Sequence, residues 1–527
     1  MKNLKKIFLF AVIAGALYSC DDAYDIVQEG EYQEANAFRT ISDMNLALVE
    51  IYDNISNESE IAFTSVFTDE AAIASENGGQ NLEEYRHQLF ATNSYASGIW
   101  AQHYAAINYI NRLIAGSENI VLDENSPTFT DDQAEKSRIL AEARTLRAYC
   151  TLQLLTFYST NLKDDSALGV IISDHVPPTL PNLEELPRST NLECFNFINA
   201  DLDYADENLS NATVTTTVTK ALVLGIRARM AAYRGHYTEA LGFANDAIDE
   251  RTTGGAAAAA QGLALASVYP DIWTDQNNNA EQILTLLRPT GKSGIVGNWF
   301  FNEANLTGGP FLDMDRNLYA ELTENSRDVR QQVFIGATSL IADNYATVFD
   351  YRNEDIIVIG KYPGTPDDNL PLNNNLKPMR TVEMHFIRAE AQIAAGDLAG
   401  ARTSINRVRR ARNTGVTTNA QLNPAVTTPA AVDDMDISAA NFDTPQEAWQ
   451  VVLDERRREL CFEGHRYIDL KRLGADAGVL GIQRYERDCA PYSACDLPIT
   501  DPRFTLPIPN DELNGNSVIR NQQNPGY

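Results

Sequence analysis

The stretch from Asp454 to Gly474, DERRRELCFEGHRYIDLKRLG, limits what this chain can fold into more than any other part of it. Its charges cluster from Glu455 to Glu459 and again at Glu463, Arg466 and Asp469. Offsets of three and four place side chains on neighbouring helix positions. Leu460, Phe462, Ile468 and Leu470 interrupt them, so part of the charge must face protein rather than water. A charge taken out of water needs a partner, and such a pair fixes one geometry more than it adds stability. The segment therefore reads as a structural lock.

Other segments carry patterns of the same kind. Arg380, Glu383, Ile387 and Ala389-Glu390-Ala391 lie upstream, and the chain finishes LPIPNDELNGNSVIRNQQNPGY. Together these resemble the SusD/RagB family, surface lipoproteins of Bacteroidota that bind nutrients. Glu455-Arg456, Glu459-Leu460, Phe462-Glu463-Gly464, Arg466, Asp469-Leu470 and Arg472 match its signature helix and turn. Leu506 to Pro509, Glu512, Asn516 and Gln523 to Tyr527 match its terminus. In the first half, Glu142-Ala143 with Leu146-Arg147-Ala148-Tyr149, and Asp201-Leu202 with Ala205 and Leu209, are similar to two further helices of the family.

The N-terminus suits the same address. Lys2, Lys5 and Lys6 precede an apolar run from Ile7 to Leu17, then Ser19 and Cys20. That is the order of a secretory signal, too short for a transmembrane helix. Leu17-Tyr18-Ser19-Cys20 resembles a lipobox, which makes Cys20 the lipidated residue. Each buried CH2 of an acyl chain adds about 0.8 kcal/mol, so several chains hold firmly where one does not. Asp21 and Asp22 resemble the signal that sends such lipoproteins to the outer face of the outer membrane. No later stretch is apolar enough to span a bilayer, and the remainder is expected to be soluble.

Charge and cysteines narrow the partners. The whole chain carries 42 basic and 72 acidic residues, a net −30. Such a surface repels phosphate backbones and argues against nucleic acid. Six cysteines leave five after lipidation. Cys489 and Cys495 bracket the short loop APYSA, where an oxidising compartment allows a disulfide. Cys150, Cys194 and Cys461 sit among apolar neighbours and read as core. There is no CxxC pair and the histidines are scattered, so no zinc site and no cofactor are expected.

Along the chain, residues 1–19 read as signal peptide and 20–40 as lipidated N-terminus and tether. Residues 41–250 read as a helical N-terminal half and 251–527 as a C-terminal half interlocked with it. Ile139, Ala143, Leu146 and Cys150 recur at helical spacing. Arg227-Ala228, Gly235 and Ala240 recur 161 positions later (388 − 227) as Arg388-Ala389, Gly396 and Ala401. Each copy reads as a helix, a tight turn at glycine and a second helix with small residues, the logic of tetratricopeptide repeats. The fold class is therefore mainly α. The resemblance implies about four such pairs as scaffold, with longer excursions forming an irregular, loop-rich ligand-binding face. Glu281 to Leu287 reads as a short strand; Tyr362 to Pro378 and Thr414 to Pro445 read as loop.

Several apparent motifs fail on their chemistry. Thr290-Gly291-Lys292-Ser293 lacks the first glycine of a phosphate loop, and Pro289 removes an amide. Asp275, Asn277, Asn279 and Glu281 have calcium-loop spacing, but Ala280 replaces the turn glycine and Leu286 the closing glutamate. This is read as a polar turn, and calcium is not predicted. No GxSxG or HExxH occurs, and nothing singles out a glycosidase pair among the carboxylates.

A sugar site needs flat rings for the apolar faces of pyranoses and polar groups for the hydroxyls. Trp299 is the leading candidate, within Asn298-Trp299-Phe300-Phe301-Asn302 after a glycine-rich loop. Trp100, Trp273 and Trp449 read as core. The second region is Glu76 to Tyr95, where Asn77, Tyr85, Arg86 and Tyr95 supply rings and donors. Tyr345 and Tyr351 are weaker options. In the family, ligand contacts come from a loop before the Trp100 helix and from loops in mid-chain. The resemblance implies a non-enzymatic, glycan-binding lipoprotein that captures an oligosaccharide and passes it to a SusC-like TonB-dependent transporter. The rivals are peptide cargo on the same fold, a glycoside hydrolase and a protein-binding scaffold.

Overall fold

The structure, a computed structural model, describes residues 37–178, 184–252, 260–275, 281–288, 295, 299, 309–341, 355–364, 373–425 and 429–527. Cys20, Asn298, Phe300, Asn302, Tyr345 and Tyr351 lie outside them. No helix of the described residues is long and apolar enough to cross a membrane.

The first half is helical: α1 (Ile41–Asn54), α2 (Glu58–Phe67), α3 (Ser94–Ser117), α4 (Phe129–Tyr158) and α5 (Asn191–Asn208). Their starts are fixed by sequence. Thr40 with Asp43 and Thr190 with Glu193 form capping boxes, which satisfy backbone N–H groups that a helix leaves open. α3 packs on α4, and α4 on α5. Two hairpins follow: α6 (Lys220–Arg234) with α7 (Tyr237–Thr252), and α8 (Thr381–Ala394) with α9 (Leu398–Arg412). The repeated glycines make both turns. Gly235 has φ 76° and Gly396 φ 79°, the left-handed region that glycine enters at little cost. The first helix of each hairpin ends alike, with His236 N–H bonded to Ala231 and Asp397 N–H to Gln392. α7 lies against α8, so the two hairpins stack, with Ala240 and Ala401 fully buried between helices.

Two short antiparallel pairs complete the frame. β1 (Ala71–Ile73) pairs with β3 (Leu312–Met314), and β2 (Gln282–Leu286) with β4 (Leu376–Arg380). The strand at Leu376 to Arg380 corrects the expectation of loop up to Pro378. Proline cannot donate to a ladder and argues against a strand in sequence, but an irregular two-stranded pair accommodates it. The register between β2 and β4 does shift.

The Asp454 to Gly474 stretch forms α10 (Pro445–Leu460), a turn, and α11 (Arg466–Leu473). Its charge is buried, as the sequence requires. Glu459 accepts from Arg412 at 2.8 and 2.9 Å, and from Arg380 and the Tyr269 hydroxyl at 3.1 Å each. Arg330 stands 3.5 Å away and bonds Glu455 at 2.7 Å. Glu463 takes Arg380 at 2.6 and 2.8 Å and Lys361 at 2.7 Å. On α11, Asp469 receives Arg456 and Arg472, and Arg472 also grips Glu390 of α8. Arg466 bonds Asp69 twice at 2.8 Å, which ties α11 to the segment after α2.

The turn between α10 and α11 is strained. Phe462 has φ 61°, a region that ordinary residues avoid, and Gly464 has φ 86°. Surrounding contacts hold it. Lys361 donates to Cys461 O at 2.6 Å, the Tyr362 hydroxyl donates to Phe462 O at 2.9 Å, and the Trp299 ring meets Phe462 edge-on at 5.5 Å.

Glu70, beside this turn, is fully buried with Ser65 donating at 2.9 Å to one oxygen; the other has no hydrogen-bond partner among the described residues. Burial raises its carboxyl to about 7. A carboxyl raised by folding contributes fully only below its ordinary range near 4.5, and that contribution is lost as pH rises through 7. Glu70→Gln is therefore expected to match the parent protein near pH 4 and to be more stable near pH 8, by on the order of 2–3 kcal/mol. Urea melts at the two pH values check this; an equal effect at both would refute it.

The end of the chain closes on the first half. Leu506 N–H bonds Phe157 O at 2.8 Å, and Trp100 Nε1 bonds Glu512 at 3.2 Å. Arg188 reaches Gln522 O at 2.6 Å and the Asn524 side chain at 2.9 Å. Asn524 in turn donates to Tyr158 O and Leu506 O. Proline-rich backbone has few donors of its own, so side-chain amides supply the bonds.

Candidate functional site

The segment from Glu76 to Tyr95 is a string of turns rather than an open loop. Asn77 is buried and organises the first turn: its side chain accepts from Gly79 N–H at 3.1 Å and donates to Phe311 O at 2.8 Å. Asn81 and His87 take positive φ, and Asn81 donates to the Tyr95 hydroxyl at 2.8 Å. Asn93 caps α3 through Tyr95 and Ala96 N–H and donates to Glu84 at 2.7 Å. Burial raises the Tyr95 hydroxyl to about 12 and lowers His87 to about 3.

Arg484 holds this segment in place. Its five N–H groups go to five backbone carbonyls: Val66, Phe67, Thr68, Tyr85 and Ala494, at 2.6 to 2.9 Å. Its guanidinium lies 3.9 Å from the Tyr85 ring centre. Tyr85 meets Tyr492 edge-on at 5.5 Å, and the exposed Arg86 stands 5.8 Å from the Tyr492 ring, within cation–π range. Tyr492 is half-buried in the loop that the Cys489–Cys495 disulfide closes. The helix before that loop, Glu486–Cys489, packs against β1.

Phe311 joins the two regions that the sequence proposes separately. Its N–H bonds Trp299 O at 3.0 Å, while its carbonyl accepts from Ala74 N–H and from Asn77. The backbone at Trp299 and the turn at Asn77 therefore meet at one end of the β1–β3 pair. Gly309 adds to the contact, since its missing Cβ would approach Glu76 at 3.1 Å.

Individual side chains are corrected. Trp299, the leading ring candidate, is fully buried and braces the strained Phe462 turn. Tyr85 is also fully buried, used up between Arg484 and Tyr492. Asn77 shapes a turn, and Tyr95 is half-buried beside Phe63. Arg86 is exposed. Sequence reasoning passed over Tyr492, although a ring inside a closed cysteine loop is a readable signal. Trp100, Trp273 and Trp449 are core, and Asp275 accepts from Lys377 at 2.8 Å rather than standing open. No cluster of potential metal ligands occurs among the described residues.

Stacked helix pairs, a buried charged lock and a loop-built face together define a class of protein, and comparison with known chains bears on which one. A family model described as "SusD family" matches residues 298–527, and one described as "Starch-binding associating with outer membrane" matches residues 21–231. The chain belongs to the SusD/RagB family. It is 24% identical to SusD-like protein P2 of Formosa agariphila over the whole of both chains. It is 23% identical to a SusD-like protein of Bacteroides ovatus, over 73% of this chain and 71% of that one. Among solved structures, a SusD superfamily protein of Bacteroides thetaiotaomicron superposes with a TM-score of 0.72 at 24% identity, covering 92% of this chain and all of that one. A putative sugar binding protein of Bacteroides vulgatus gives 0.68 at 22% identity, covering 93% and 99%.

Proposed function

We propose that this chain is a carbohydrate-binding lipoprotein of the outer membrane. It is anchored through Cys20, faces the cell exterior, and hands an oligosaccharide to a SusC-like TonB-dependent barrel. It is a binding protein and not an enzyme: the partner supplies the energy, so capture needs no catalytic group. The supporting comparison is the starch-binding family description and the sugar-binding neighbour. The observation that carries the site is the convergence at Phe311 of the Asn77 turn and the Trp299 backbone, at the β1–β3 pair whose β1 packs against the helix leading into the Tyr492 loop. There a ring and a guanidinium, Tyr492 and Arg86, offer a stacking face and donors.

Affinity gel electrophoresis with plant, algal, fungal and host polysaccharides tests this. Tyr492→Ala is expected to weaken the productive interaction about tenfold while leaving the thermal midpoint nearly unchanged. Trp299→Ala instead is expected to lower stability, by about 3–5 kcal/mol, as a cavity under the Phe462 turn would. Retardation identical in Tyr492→Ala and the parent protein would move the site off this face. No retardation on any glycan would favour peptide cargo.

A further inference from the structure

A cleft on another part of the molecule is lined by none of the side chains of that face. It holds about 600 Å³, within the usual range for small-ligand sites, between the residues after α4, α11 and the segment before the terminal tail. Leu162, Ile468, Ile499 and Phe504 give it apolar walls, and Thr160, Asn161 and Thr500 add hydrogen-bonding groups.

Its charges are matched, with one exception. Arg472 of α11 is committed to Glu390 and Asp469. Asp501 is held by Arg503 at 2.7 Å, and at the mouth Lys163 stands 3.7 Å from Asp476. Tyr233 of α6 is the remaining titratable group in the lining. Lys471 differs. Its ammonium donates to Ser159 O at 2.7 Å and to the Thr505 hydroxyl at 2.9 Å, both neutral, and no carboxylate of the described residues pairs with it. An ammonium has three donors, so one is left for the cleft. Burial, with no acid beside it to offset the effect, pulls the amine down to about 7. An unpaired cation in such a place is costly unless an anion joins it.

We propose that this cleft is a second binding site, for a small organic acid whose carboxylate meets Lys471 and whose partly apolar body lies against Ile468, Ile499 and Phe504. A uronic acid sugar and a simple carboxylic acid share that chemistry. The test uses the native protein: lysines are acylated at neutral pH with acetic anhydride, and Lys471 is followed by peptide mass spectrometry. Sodium glucuronate is expected to slow its modification on the order of tenfold, while glucose at the same concentration leaves it unchanged. Sodium acetate protecting as well as glucuronate would assign the site to the carboxylate alone; weaker protection would assign it to an acidic sugar. Calorimetry with Lys471→Met is expected to show glucuronate binding lost. Unprotected Lys471, equal protection by glucose, or undiminished binding to a folded Lys471→Met would each overturn the proposal.

Discussion

Glu459→Gln is expected to leave little folded protein in dilute buffer. One carboxylate there serves Arg412, Arg380 and Tyr269, with Arg330 beside it, and its side chain and those of the three arginines are at most 1% exposed. Glutamine keeps the shape but removes the charge and puts an N–H where arginines already donate. Breaking a buried pair from one side costs about 3–5 kcal/mol, because the partner stays buried without compensation. Here several cations lose the same acid, while whole domains are stable by only about 5–15 kcal/mol. The check is the soluble yield and urea midpoint, beside Lys220→Ala, which breaks a partly exposed pair 3.8 Å long with Asp206 and should cost less than about 1 kcal/mol. A Glu459→Gln midpoint within error of the parent would show that the lock contributes nothing to stability.

Arg484→Lys is expected to release the proposed ligand face while the helical body stays folded. All five donors of Arg484 are used, three of them on Val66, Phe67 and Thr68, where α2 ends with carbonyls that have no partner in the helix. Lysine offers three donors from a point and no flat surface for Tyr85. At least two buried carbonyls would be left unmet, a local loss of at least about 3 kcal/mol. Hydrogen exchange should then rise in residues 66–95 and 484–497, with α6 to α9 unchanged, and glycan retardation should fall. Exchange that rises uniformly, or not at all, would contradict this local role.

The scaffold was legible in sequence because helices announce themselves locally. Spacing located α4, the glycine repeat located both hairpins, and mixed charges among apolar residues located the lock. The strand at Leu376 to Arg380 was hidden by Pro378, whose place in an irregular pair depends on a partner nearly a hundred residues away. Of the ring candidates named from sequence, Trp299 and Tyr85 are fully buried. Trp299 and Tyr85 sit in loop-like sequence, yet strained backbone at Phe462 and an unsupported loop end at Tyr85 draw both rings inward. Those demands are three-dimensional, so no spacing rule reveals them. Tyr492 stood out as a candidate only once Tyr85 was seen behind it and Arg86 beside it.

Arg188 and Asn524, which bond each other, stand 336 positions apart. At roughly 5–20 residues per second, a ribosome needs on the order of 20–70 s to make the chain between them. Throughout that time the end of α4 and the segment before α5 lack the partners that Leu506 to Asn524 provide. The first half therefore gains these contacts only after residues 506–524 have been made.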